Sequence, residues 1–181
     1  MRELSLHILD IAQNSIAAGA TEINIIIRED SSEDSFIIEI EDNGRGMPRD
    51  ILNAVLDPFV TTRTTRRVGL GLPLLCQAAR ACDGDVTVDS EERKGTRVVA
   101  WFRRSHWDRA PLGDIASTLM ALVACNPSVD IRYEHLIDGG SFRFDTRDLR
   151  RKLGDIPLSN PLVAGFVKDY VEEGENNLRG E

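Results

Sequence analysis

The chain lacks a long apolar run: no stretch of its 181 residues approaches the roughly 20 needed to span a bilayer. Its N-terminus also lacks the cleavable apolar core of a signal peptide, so the expectation is a cytoplasmic protein with no membrane partner. Cysteine is scarce. Cys76, Cys82 and Cys125 are odd in number, with no C-x-x-C and no histidine at ligand spacing, which argues against a disulfide framework or a zinc site. Thiols buried in helices are the expectation. Positive charge is deficient: a formal net charge of -8 disfavours binding to nucleic acid, and the pairs Arg66-Arg67, Arg103-Arg104 and Arg150-Arg151 are too short to reverse that. No Walker A pattern and no G-x-G-x-x-G is present, which argues against a P-loop or Rossmann nucleotide site. With 41% hydrophobic residues the chain can bury a full core, and its length allows one domain plus an appendage.

Three segments carry chemistry. In the first, Leu4, Ile8, Ile11, Ser15 and Ala18 recur at helical spacing and Gly19 can end the helix in a left-handed turn. Asp10 and Asn14, four residues apart, share another face, where a carboxylate and an amide oxygen can hold a hydrated Mg2+ beside a phosphate chain. His7 lies on that face too, and local packing is its simpler role. In the second, residues 22 to 28 and 36 to 42 alternate in polarity as strands do, and the latter ends in Asp42-Asn43-Gly44-Arg45-Gly46. Two residues without Cβ let the backbone approach a flat ligand, and Asp42 can accept a hydrogen bond from an exocyclic amine such as adenine N6. In the third, a loop rich in Thr and Arg that includes Arg63 leads to Gly69-Leu70-Gly71-Leu72, which opens an apolar helix reaching about Ala81. Free amides at a helix start, behind glycines and near arginines, suit a triphosphate.

The order of these motifs resembles the GHKL superfamily of ATP-binding domains, which includes gyrase-type topoisomerases, a heat-shock chaperone, sensor histidine kinases and mismatch-repair ATPases. Asn14 falls on that family's N-box asparagine, Asp42, Gly44 and Gly46 on its first glycine box, Gly69 and Gly71 on its second, and Gly95-Thr96 on the strand that closes the adenine pocket. The resemblance covers roughly residues 4 to 103. It implies a histidine kinase-like ATPase fold, a two-layer α/β sandwich with helices on one face of a mixed sheet, and ATP and Mg2+ as cofactors. It also implies a lid over residues 57 to 68, with Arg63 near phosphate, Leu70 and Leu72 flanking the pocket and Thr96 supporting the base. Position 10 departs from the family: hydrolysing branches carry Glu there, and Asp10 is one methylene shorter, so the proposed base keeps its chemistry and loses reach.

Beyond Arg104 the resemblance stops. Asp114 to Ala124 reads as a helix, Val129 to Leu136 and Ser141 to Asp145 as strands around Asp138-Gly139-Gly140, and Thr146 to Leu153 and Pro161 to Glu173 as helices. The expected organisation is an ATP-binding domain over 1–104, a linker over 105–113, a small α/β accessory or partner-binding region over 114–175, and a flexible tail over 176–181. Ser105-His106-Trp107-Asp108-Arg109-Ala110-Pro111-Leu112 has the spacing of a histidine-kinase phosphoacceptor box, but Trp107 stands where an acid is usual and Pro111 suits a hinge. The functional expectation is an ATP-Mg-dependent kinase-like or ATPase regulator acting on an unidentified protein partner, for which the resemblance hints at a redox-enzyme subunit. The alternative is a non-catalytic ATP sensor or adaptor.

Overall fold

The computed structural model describes residues 2–55 and 71–180. Arg63, Gly69, Leu70 and the expected lid over 57 to 68 lie outside the described residues. One six-stranded mixed sheet organises the molecule, in the order β3-β4-β2-β1-β5-β6. Its central hairpin is β1 (Glu22–Asp30) and β2 (Ser35–Asp42), paired antiparallel from Ile23↔Asp42 to Asp30↔Ser35. The strands β3 (Asp85–Glu91) and β4 (Gly95–Arg103) form a second hairpin that joins β2 through β4.

Alternation decides which face is covered. Ile23, Ile25 and Ile27 of β1, Phe36, Ile38 and Ile40 of β2, and Val98, Ala100 and Phe102 of β4 are all buried on one side. Over them lie α1 (Leu4–Ala17), α3 (Gly71–Arg80), α4 (Ile115–Cys125) and α6 (Pro161–Arg179), with α1 in contact with α3 and α4, and α4 with α6. This is the expected helical layer on one face of a mixed sheet. The opposite face is polar at its centre, where Arg28 and Arg97 each hold Glu39 at 2.7 Å. The short helix α2 (Arg49–Ala54), behind Pro48, buries none of its residues, so no apolar period announced it in the sequence.

The C-terminal third, expected as a small α/β appendage, adds its strands to the central sheet. Strand β5 (Asp130–Ile137) pairs parallel to β1 from Glu22↔Asp130 to Glu29↔Ile137, and β6 (Gly140–Asp145) pairs antiparallel to β5. Ile131 and Tyr133 therefore continue the same buried face, and the two strands extend the central sheet. The stretch expected to link two units is bonded to α1: Leu4 and Ser5 donate their N–H groups to the carbonyls of Pro111 and Leu112.

The remaining helix starts follow side-chain capping. Asp114 accepts from Ser117 N at 2.8 Å, Asp145 accepts from Arg147 N at the start of α5 (Thr146–Leu153), and Asn160 accepts from Leu162 N ahead of α6. Residues 176 to 179, expected to be a frayed tail, are the last turn of α6. Buried Glu175 and its ion pair with Arg179 at 3.1 Å hold that turn in place. Cys76 and Cys82 are buried as expected, whereas Cys125 is exposed because α4 ends there.

Candidate functional site

At the C-terminal end of β2 the Asp42 carboxylate is fixed from two directions. Ser15 Oγ donates to Oδ2 at 2.6 Å, and the Gly44 backbone N–H donates to Oδ1 at 2.8 Å. The sequence placed Ser15 on the core face of α1. Its role in aiming Asp42 was not read there, although a lone serine in an apolar stripe beside Asn14 was the available signal. Asn43 turns the other way, its Oδ1 accepting from the backbone N–H groups of Thr21 and Glu22 at 2.8 and 3.0 Å. The glycines are sterically required: a Cβ on Gly46 (φ +65°) would overlap the Glu91 carbonyl, and one on Gly95 (φ +112°) would overlap the Asp42 carbonyl.

Thr96 faces Asp42 across the β2–β4 ladder. Its hydroxyl lies 2.9 Å from Ser90 Oγ, which also donates to the Gly95 carbonyl and accepts from Met47 N. Ser90, a second residue the sequence reading missed, thus ties both glycine-containing turns to the end of β3. Asp42, Leu52, Ser90, Gly95 and Thr96 line an open cleft of about 320 Å³.

A second group forms where α1 meets the first turn of α3. A Cβ on Gly71 would stand 3.3 Å from Asp10 Cβ and 3.6 Å from Asn14 Nδ2, so these two side chains face the N-terminus of α3. Leu72, the next residue, packs partly buried against the core. Free N–H groups at a helix start attract anions, and burial pushes the Asp10 carboxyl above its usual pKa, as suits a proton acceptor. His7, one turn earlier, is buried, and its Nδ1 has no hydrogen-bond partner among the described residues.

Oxygen donors from an amide and a carboxylate fit Mg2+, which takes few protein ligands and keeps several waters. Among the described residues no group of three or more His, Cys, Asp and Glu is placed to hold a metal. His106 sits in the turn after β4, its Nδ1 accepting from Asp108 N at 3.2 Å and its Nε2 lying 3.9 Å from Asp83.

The structure thus brings Asp10, Asn14 and Gly71 together at one point and Asp42, Gly44, Gly46 and Thr96 at another, and Ser15 of α1 bridges to the second. Comparison with known proteins places the N-terminal part of the chain in a family. The model of the histidine kinase-, DNA gyrase B-, and HSP90-like ATPases matches residues 2–106. Sporulation kinase A of Bacillus subtilis (strain 168) is 33% identical over 96 residues, which is 53% of this chain and 15% of that kinase. Sensor kinase CckA of Brucella abortus (strain 2308) is 34% identical over 93 residues, 51% of this chain and 10% of that protein. The chain therefore spans a small part of the length of these relatives. The crystal structure of the N-terminal domain of a DNA repair protein shares the fold, with a TM-score of 0.58 over 79% of this chain and 52% of that one at 16% identity.

Proposed function

Because the chain belongs to the histidine kinase-, DNA gyrase B-, and HSP90-like ATPases, we propose that it binds ATP with Mg2+ and acts on a partner protein as a kinase-like or ATPase regulator. The observation that carries this reading is the convergence of Asp10 and Asn14 on the first turn of α3, while Ser15, on the same helix, aims the adenine-reading carboxylate. In this reading Asn14 holds magnesium and Asp42 accepts from adenine N6. Gly44, Gly46, Gly69 and Gly71 shape the pocket, Leu70 and Leu72 flank it, Thr96 supports the base and Arg63 meets phosphate. Magnesium, when bound, neutralises phosphate oxygens. Asp10 takes the proton of the attacking water or hydroxyl, a role its desolvated carboxyl supports.

The second reading, a sensor that binds ATP without turning it over, is favoured by the shorter reach of Asp10 relative to glutamate. Titration calorimetry with ATP and GTP, each with and without Mg2+, tests the common core of both readings. Magnesium-dependent ATP binding is the expected result, and its absence overturns both. Release of inorganic phosphate then separates the regulator from the sensor.

A further inference from the structure

Three strands away from Asp42 the sheet ends in β6, which among the described residues pairs only with β5. The hairpin closes through the two residues Asp138 (φ +45°) and Gly139 (φ +91°), so Ile137 and Gly140 form the hydrogen-bonded closing pair. Antiparallel alternation then turns the N–H and C=O groups of Ser141 and Arg143 away from β5, toward the open edge. The opposite edge is guarded differently. There β3 carries Asp85, Asp89 and Glu91 and contacts α2, whereas β6 presents Ser141 and Phe142 with Arg143 neutralised by Glu134 at 2.7 Å. Unpaired charges on an edge strand discourage strand addition, and the two charged residues of β6, Arg143 and Asp145, are both held in ion pairs.

Helix α6 supplies an apolar wall beside this edge. Leu162, Phe166 and Tyr170 recur every four residues next to the buried row Val163, Val167 and Val171, yet they are 84%, 53% and 43% exposed. Tyr170 touches the rings of Phe142 and Phe144, with centroids 5.6 and 6.3 Å away, and Phe166 stacks on Tyr170 at 5.9 Å. A side chain at Gly174 would overlap the Phe142 ring, so the helix lies directly on the strand and leaves a groove of about 540 Å³ between them. Glu173 lines the groove and Asp169 stands exposed one turn away on the same rim.

We propose that the β6 edge and the α6 stripe form a docking site for an extended segment of a partner protein, one with apolar residues at alternate positions and Lys or Arg flanking them. Such a segment adds a strand to the sheet through main-chain hydrogen bonds, and its helix-side residues land on Phe166 and Tyr170. Lysine and arginine stems can cross the apolar stripe and set their charges at Asp169 and Glu173. A second copy of this chain is disfavoured as occupant. Pairing β6 with itself about a twofold axis would set that acidic rim against its counterpart, in a chain of net charge -8.

Fluorescence anisotropy with an array of short peptides tests this. One set alternates Val or Ile with Ser and has flanking Lys, a second has flanking Glu, and a third repeats the first with alternate backbone amides methylated. The Lys-flanked set is expected to bind, and the Glu-flanked and methylated sets to bind at least about tenfold more weakly. Phe166→Glu is expected to weaken the Lys-flanked peptides about tenfold, and Glu173→Lys to move the preference toward the Glu-flanked set, with melting temperatures confirming that both variants fold. Equal binding of Lys- and Glu-flanked peptides, indifference to methylation, or no binding by any alternating peptide overturns the proposal. So does a dimer in sedimentation that Phe166→Glu dissociates, because the occupant would then be a second copy.

Discussion

Asp42 keeps its capacity to accept even though Ser15 and Gly44 already donate to it, since each carboxylate oxygen has two lone pairs. The two bonds fix the direction in which the remaining lone pairs point. Guanine would place a carbonyl oxygen against an acceptor, so ATP should bind more tightly than GTP. Asp42→Asn should cost about 1.5 to 3 kcal/mol, the range for a hydrogen bond to a charged group, or roughly 10- to 100-fold in ATP affinity. Calorimetry giving equal ATP and GTP affinities would remove the adenine assignment. His7 is a liability of a different kind. Burial lowers its pKa from 6.5 to about 4, so the unfolded chain binds the proton more readily between those values and stability falls as pH drops below 6.5. His7→Leu removes both this linkage and the unpartnered Nδ1. Denaturant unfolding should show a gain of about 1 to 3 kcal/mol, larger at pH 5 than at pH 7.5.

At the level of elements, α1 carries core packing on one row and Asp10 and Asn14 on another, and the roles proposed for these two residues should separate in experiment. Asn14→Ala should weaken magnesium-dependent ATP binding. Asp10→Asn should leave binding nearly intact and, where Asp10 is the working base, lower single-turnover phosphate release about 10²- to 10⁴-fold. An unchanged rate in Asp10→Asn removes the base assignment. The placement of both residues was legible because the spacing of four in a helix fixes which residues share a face. So were β1 and β2, whose isoleucines alternate, and α5, whose span from Thr146 to Leu153 is as read. The hairpin partner β3 was not. Of its alternate residues 86, 88 and 90 only Val86 is fully buried, and the strand exposes Asp85, Thr87, Asp89 and Glu91, so little apolar period survives at this edge. The helix α6 continues through Arg179, past the start of the expected tail at Asn176, because buried Glu175 anchors its last turns. The partners that bury Glu175 come from β5, 40 residues earlier, and local composition carries no trace of them.

For the molecule as a whole, one sheet built from both ends of the sequence means that the C-terminal third is structural. A chain ending at Arg104 should lose cooperative unfolding and become protease-sensitive, because β1 would be left as an edge and α1 would lose its contact with α4. A sharp thermal transition in that fragment would restore the two-unit organisation. The same long-range closure is written in charge. His135, fully buried on β5, lies between Glu175 of α6, with Nδ1 at 2.9 Å from Oε2, and Glu29 of β1, where Nε2 is 3.3 Å from Oε1 but poorly aligned. Tyr133 donates to Glu175 at 2.8 Å, while Arg179 and Arg104 pair with Glu175 and Glu29. Burial opposes the imidazolium, yet the two carboxylates outweigh it and hold the pKa of His135 above 6.5. The folded protein then binds the proton more readily than the unfolded chain, so this stabilisation is fully present below pH 6.5 and is lost as pH rises through the folded value. Glu29, held below its usual 4.5 foremost by His135, contributes in the opposite sense: its share is present above 4.5 and is lost as pH falls through the folded value. His135→Ala should destabilise by about 1.5 to 3 kcal/mol, because buried Glu175 loses a charged hydrogen bond and Glu29 loses a neighbouring charge. It should also abolish the decline in stability above pH 6.5. Urea unfolding from pH 5 to 8.5 measures both, and a variant that keeps the wild-type slope above pH 6.5 would show that the proton is held elsewhere.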